Sequence, residues 1–128
     1  MKTGAAAIII KNKKILLTLR SINCSSYPKH WTMPGGRAEL NETPIENVIR
    51  EILEEVNLNF KPTSIYKIFK WKDYELYRFL GTWNGDIKLQ ESEATQYKFY
   101  TYEETSQLEL AFDYKNILES LYKDNLIK

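Results

Sequence analysis

The sequence predicts an α+β fold, an α/β/α sandwich with a mixed sheet between helices. Three observations carry this. Apolar, β-branched and aromatic runs recur along both halves of the chain. One strongly patterned helix interrupts them near the middle, and a second amphipathic stretch follows the last of them. Strands and helices are interspersed rather than strictly alternating, which favours α+β or a mixed sheet over a regular βαβ repeat.

Residues Ala5 to Ile10 and Lys14 to Leu19 are two apolar runs separated by Lys11-Asn12-Lys13. They read as a hairpin, with Asn12 suited to the positive φ of a tight turn. Ser21 to His30 is loop-like, and Trp31 to Gly36 is a short strand ending in a sharp turn. Thr43 to Val56 is the best-defined helix. Thr43 can N-cap it, Pro44 suits the first helical position, and Glu46 completes a capping box. Ile45, Val48, Ile49, Ile52 and Val56 form one apolar stripe, and Asn57 can end the helix in the left-handed conformation. Ser64 to Trp71 and Tyr74 to Trp83 are aromatic-rich strands joined at Lys72-Asp73. Asn84-Gly85-Asp86 is a turn, Tyr97 to Thr101 a further strand, and Asp113 to Ile127 the closing helix.

The 128 residues fit a single domain spanning 1–128. With 18 basic against 17 acidic residues there is no general positive field, so no stable nucleic-acid partner is expected. A polyanionic substrate must then be held by local charges or metal ions. Cys24, the only cysteine, excludes an internal disulfide and a Cys-rich zinc site. The opening MKTGAAAIII turns charged at Lys11, too soon for a signal peptide or a membrane span, so a cytoplasmic protein without membrane attachment is expected.

The central helix carries the chemical argument. At about 100° per residue, with Glu51 as zero, Glu55 falls near ~40°, Glu54 near ~300° and Arg50 near ~260°. Three carboxylates share one patch beside an arginine, with the apolar stripe assigned to the other side. Like-charge pairs and two acids in the last turn cost the helix roughly 1–3 kcal/mol, which Arg50 offsets in part through Glu46 and Glu54. A divalent cation would offset more. A solvated acidic face is the alternative.

Upstream lies Pro34-Gly35-Gly36. From Gly36 the chain reads glycine, five residues, Glu42, seven residues, Arg50-Glu51-Ile52, one residue, Glu54-Glu55, one residue, Asn57-Leu58. This resembles the Nudix box, G-x5-E-x7-R-E-U-x-E-E-x-G-U with U aliphatic, at six exacting positions: Gly36, Glu42, Arg50, Glu51, Glu54 and Glu55. Chance gives such a match on the order of 10⁻⁷ per starting point. The segment His30 to Glu39 is similar to the family's W-x-x-P-G-G-x-x-E lead-in. The box glycine is Asn57 here, and Asn41 stands where another glycine is common. Both positions are expected to need positive φ, which Asn tolerates.

The resemblance implies a Nudix hydrolase of MutT-like type. Its expected activity is cleavage of a nucleoside diphosphate linked to another moiety, foremost a nucleoside triphosphate, oxidised purines included, to monophosphate and pyrophosphate. ADP-ribose, dinucleoside polyphosphates and capped RNA ends are alternatives, as is a nucleotide-binding module without catalysis. One to three Mg²⁺ or Mn²⁺ ions are implied, held by Glu51, Glu54, Glu55 and the Gly35 carbonyl, with Glu93 as a further ligand or the base. Arg50 would orient Glu51, and the base is Glu51 or Glu93. Glu42 would brace the catalytic loop or serve only as a partner of the helix dipole. Arg20 and Arg37 are candidate phosphate contacts or plain surface residues. Phe79 is a candidate base-stacking residue or core, and Asp113 reads the base edge or caps the last helix. The partner is a small nucleotide, and the chain a monomer or homodimer.

Overall fold

The computed structural model describes residues 2–128, which group into two compact units: residues up to Ile9 with Pro34–Lys88, and Ile10–Met33 with Leu89–Lys128. The elements are β1 (Lys2–Ile8), β2 (Ile10–Lys11), β3 (Lys14–Arg20), β4 (Trp31–Thr32), β5 (Gly35–Arg37), α1 (Pro44–Val56), β6 (Asn59–Trp71), β7 (Tyr74–Asn84), β8 (Ala94–Tyr100), α2 (Tyr102–Thr105) and α3 (Tyr114–Lys123). The α+β class is confirmed.

The first unit holds a mixed sheet of order β5-β1-β7-β6, in which β1 runs parallel to β7 and the other pairs are antiparallel. α1 packs against β1, β5 and β6. Val48, Ile52, Val56 and Leu58 are fully buried there, and Ala5, Ala6, Ala7 and Ile8 almost so. The small side chains of β1 let other backbone come close.

The second unit is an antiparallel sheet in which β3 pairs with β2, β4 and β8, and α2 packs against α3 and β8. Its core includes Ile15, Leu16, Leu17, Ile117, Leu118 and Leu121. Among the described residues no helix is long and apolar enough to cross a membrane.

Several expectations need correction. The first two runs do not form one hairpin. Only Ile10–Lys11 pairs with β3, across a turn in which Asn12 and Lys13 both take positive φ. The upstream run is buried at every position from Gly4 to Ile8, after an exposed Lys2 and a half-buried Thr3, and it pairs with β5 and β7. A strand covered on both faces reads as a continuous apolar run, whereas a half-solvated hairpin arm would alternate. Trp31 to Gly36 likewise divides, β4 in one sheet and β5 in the other. Strand β6 starts at Asn59, five residues earlier than expected, and Pro62 is accommodated because β6 is an edge strand with a register shift between Pro62 and Ser64. The short α2 was not foreseen, and α3 ends at Lys123 rather than Ile127.

The apolar stripe of α1 also shifts. Ile45, Ile49 and Leu53 are 41–54% exposed, while Asn47 and Glu55 are buried beside Val48, Ile52 and Val56. The acidic patch therefore does not lie opposite the buried face. Glu55 belongs to that face, because β5 offers it a backbone donor.

Candidate functional site

The capping box expected at the start of α1 is present: Thr43 Oγ1 accepts from the Glu46 N–H, and Glu46 Oε1 accepts from the Thr43 N–H. At the other end Asn57 sits at φ 63°, ψ 31°, and Asn41 in the preceding loop has φ 64°. Both asparagines thus occupy the left-handed region that their places in the sequence implied. Asn57 adds a bond glycine could not make, Nδ2 to the Asp86 carbonyl at 3.1 Å.

Between these caps, Arg50 gathers acids from three directions. Nε donates to Glu42 Oε2 at 2.7 Å and lies 3.0 Å from Glu39 Oε1. Nη1 donates to Glu51 Oε1 at 2.8 Å and Glu54 Oε2 at 3.0 Å. Nη2 donates to Glu42 Oε1 at 2.9 Å and to the Arg37 carbonyl at 3.0 Å. Glu46, expected to share Arg50, is instead committed to the cap. The Arg50 guanidinium holds the Glu42 carboxyl below its ordinary pKa of 4.5, and the Glu42 and Glu51 carboxylates push the arginine's own pKa upward. Four carboxylates thus face one guanidinium, a formal surplus of three negative charges.

The glycine corner meets this cluster directly. The β1–β5 ladder is bonded at Ala7 N–H to Pro34 O and at Ala38 N–H to Thr3 O. Antiparallel alternation then turns Gly35 outward, away from β1. Its N–H donates to Glu55 Oε2 at 2.9 Å, and its carbonyl points to the same side of the strand. At Gly36 a Cβ would stand 2.5 Å from the Glu51 carboxylate, so only glycine leaves that acid its place. Glu42 Oε1 also accepts from the Glu39 N–H at 2.9 Å, which ties the loop after β5 to Arg50.

Glu51, Glu54, Glu55 and the Gly35 carbonyl supply only hard oxygen donors, the type Mg²⁺ and Mn²⁺ take. Among the described residues no three acidic, histidine or cysteine side chains close round one point.

The other expected residues fall as follows. Arg37 is exposed, its guanidinium 5.2 Å from the Tyr74 ring. Phe79 is buried on β7, stacked with Tyr77, and the two line a cavity of about 410 Å³ with Pro44, Ile45 and Ile65. In the second unit, Arg20 Nε donates to the Ser26 carbonyl at 2.9 Å, and its guanidinium lies 5.7 Å from the Phe112 ring. Asp113 is buried at the N-cap of α3, where its carbonyl accepts from the Asn116 and Ile117 N–H groups, while its side chain makes no capping bond. Glu93 is exposed just before β8, and its carbonyl accepts from the Ser21 N–H. Two participants escaped the sequence reading. Glu39 adds a fourth acid to Arg50. Asn47 is fully buried, and its Nδ2 donates to the Gly36 carbonyl at 3.3 Å; a polar residue one turn before Glu51, beside Val48, was the available signal.

A mixed sheet bearing a glycine corner against an arginine-organised acidic helix defines an α+β protein built to manage concentrated negative charge. The chain belongs to the NUDIX domain family, whose model matches residues 1–121. It is similar to the m7GpppN-mRNA hydrolase of Danio rerio, 39% identical over 74 residues, which are 58% of this chain and 21% of that protein. It is also similar to the RNA pyrophosphohydrolase of Orientia tsutsugamushi (strain Boryong), 32% identical over 100 residues, which are 77% of this chain and 60% of that protein. The chain thus spans less than two thirds of either relative. A MutT NUDIX hydrolase from Burkholderia pseudomallei superposes with a TM-score of 0.82 over 92% of this chain and 95% of its own, at 20% identity, a likeness of fold.

Proposed function

We propose that this chain is a divalent-cation-dependent pyrophosphohydrolase that cleaves nucleoside triphosphates, oxidised purine nucleotides among them, to the monophosphate and pyrophosphate. The observation that carries the reading is the surplus of carboxylate charge around Arg50, set against the outward-facing Gly35. Such a surplus suits a cation that shares its coordination with phosphate oxygens.

In this reading Glu51, Glu54, Glu55 and the Gly35 carbonyl hold Mg²⁺ or Mn²⁺. When bound, the ion supplies positive charge to the pyrophosphate oxygens and acidity to the attacking water. Arg50 fixes the Glu51 carboxylate through the 2.8 Å bond, as a supporting partner fixes a ligand or base. Glu42 and Glu39 fix Arg50 in turn. The proton acceptor is Glu51 or Glu93. Arg20 and Arg37 as phosphate contacts, and Phe79 and Asp113 as contacts to the base, belong to the same proposal, as does the treatment of residues 1–128 as a single cytoplasmic Nudix domain, whose matched stretch runs through both compact units.

A second reading places the scissile linkage at the 5′ end of an RNA. The names of the Danio and Orientia relatives favour it. One assay separates the readings. Nucleoside triphosphates, ADP-ribose, and triphosphorylated and capped RNA are incubated with and without Mg²⁺. Phosphate is measured after inorganic pyrophosphatase for the triphosphates and triphosphorylated RNA, and after alkaline phosphatase for ADP-ribose and capped RNA, whose products carry newly exposed phosphomonoesters. Mg²⁺-dependent release from the triphosphates supports the first reading, and release from RNA alone transfers the proposal to the second. No metal-dependent release from any of them refutes both.

A further inference from the structure

Asn47 is an anomaly of the core. It is fully buried on α1 beside Val48, one turn before Glu51, and its Oδ1 has no hydrogen-bond partner among the described residues. A buried amide oxygen without a donor loses its hydration and recovers nothing, whereas a leucine of similar shape would carry no such cost. Stability therefore does not account for the residue. Its side-chain bond does: Nδ2 donates to the Gly36 carbonyl at 3.3 Å.

That bond has a counterpart. Glu55 Oε2 accepts from the Gly35 N–H at 2.9 Å, two turns further along the same helix. α1 thus grips the corner on both sides of the Gly35–Gly36 peptide, at the N–H before it and the carbonyl after it. The peptide between the two anchors carries the Gly35 oxygen. The Gly36 carbonyl also faces β1 in the hydrogen-bonded Ala5–Gly36 pair, and Asn47 holds it from the helix side, so the plane cannot rotate without breaking an anchor. We infer that Asn47 is a positioning residue, which together with Glu55 clamps the glycine corner and sets the direction of the Gly35 carbonyl. Buried polar groups that weaken a core are kept where they fix a functional geometry. The inference deepens the proposed pyrophosphohydrolase and rests on it for its kinetic consequence.

Asn47→Leu removes the anchor and the orphan oxygen together. The expected result is a melting temperature at or above that of the wild type. Against it stand a kcat lowered about 10-fold or more on the best nucleotide, a nucleotide KM changed by less than about 2-fold, and a raised Mn²⁺ half-saturation, because small misplacements at a reacting centre cost rate before binding. Independently of turnover, hydrogen exchange of the Gly35 amide should speed up by about 10-fold, since a loosened corner frees the bond to Glu55. Wild-type kcat with unchanged Gly35 exchange would overturn the inference. Asn47→Ala serves if the leucine variant fails to fold, and failure of both makes Asn47 a plain core residue and overturns it too. If the wild type hydrolyses nothing, the proposed function falls and the Gly35 amide alone decides the clamp.

Discussion

Arg50 divides its hydrogen bonds between two kinds of acid, and the division sets what each substitution should do. Glu54 is half exposed, so its ion pair adds little to stability, about 0.3–0.5 kcal/mol for such a helical pair. Glu54→Gln should leave the melting curve within a degree or two while turnover falls by at least ~100-fold; a near-normal rate in that variant would remove Glu54 from the metal site. Glu42 is the opposite case. Its side chain is 13% exposed and receives two bonds from Arg50. Glu42→Gln should cost ~1–3 kcal/mol in denaturant unfolding. The sign of its pH dependence follows from the arginine lowering its pKa. The ionised form is favoured in the folded state, so the contribution is whole above pH 4.5 and fades as pH falls below it. The stability gap between wild type and Glu42→Gln should therefore be flat near neutrality and narrow in acid. A gap that widens in acid would show that Glu42 is not the ionised partner. Six positions of the box were legible because their spacing is rigid. Asn47 and Glu39 were not, since a spacing pattern says nothing of which side chain meets a backbone carbonyl or a shared arginine.

Helix α1 shows how periodicity misleads when both faces of an element carry apolar residues. Ile45, Ile49 and Leu53 repeat at four-residue spacing as regularly as Val48, Ile52 and Val56, but the sheet covers only the second set. What tipped the choice was polar: Asn47 and Glu55 have partners on β5, which draws their side of the helix inward. Ile52→Ala should accordingly cost 2–5 kcal/mol and Ile49→Ala within about 0.5 kcal/mol, measured by urea unfolding. Equal losses would contradict the assigned face. At the C-terminal end, Asn57→Gly keeps the left-handed cap but gives up the bond to the Asp86 carbonyl. Stability should fall by no more than about 1 kcal/mol with turnover intact. A collapse of activity would mean that the side chain, rather than its φ, is required. The strand reading failed for a similar reason. Local patterns located β1, β3, β6 and β7 but could not choose partners, and the hairpin inferred from adjacency gave way to pairing between residues 2–8 and 74–80.

On the scale of the molecule, the near balance of charges hides a sharp local imbalance. The net charge is +1, yet the four acids around Arg50 carry a formal surplus of three negative charges. A ligand that binds only the folded state raises stability by RT ln(1 + [L]/Kd), about 2.7 kcal/mol at 100 times Kd. Mn²⁺ with a nonhydrolysable nucleotide should therefore raise the melting temperature of the wild type and not that of Glu54→Gln. The order of patterned runs made the α+β class readable from the start, and the charge balance did the same for the lack of a general basic field. Neither could show two sheets where one was expected, because the pairing of strands depends on contacts far apart in the chain.

The closeness of Ala6 to Gly35 reaches beyond packing. A Cβ on Gly35 would sit 2.8 Å from the Ala6 methyl, so the floor beneath the corner has no slack. One extra pair of methyls there, as in Ala6→Val, would lift the corner although it alters no group able to bind or react. Screens for substitutions that abolish the proposed activity should accordingly return hits in this stretch of plain hydrocarbon, and efforts to retune that activity have a handle underneath the corner as well as among the acids.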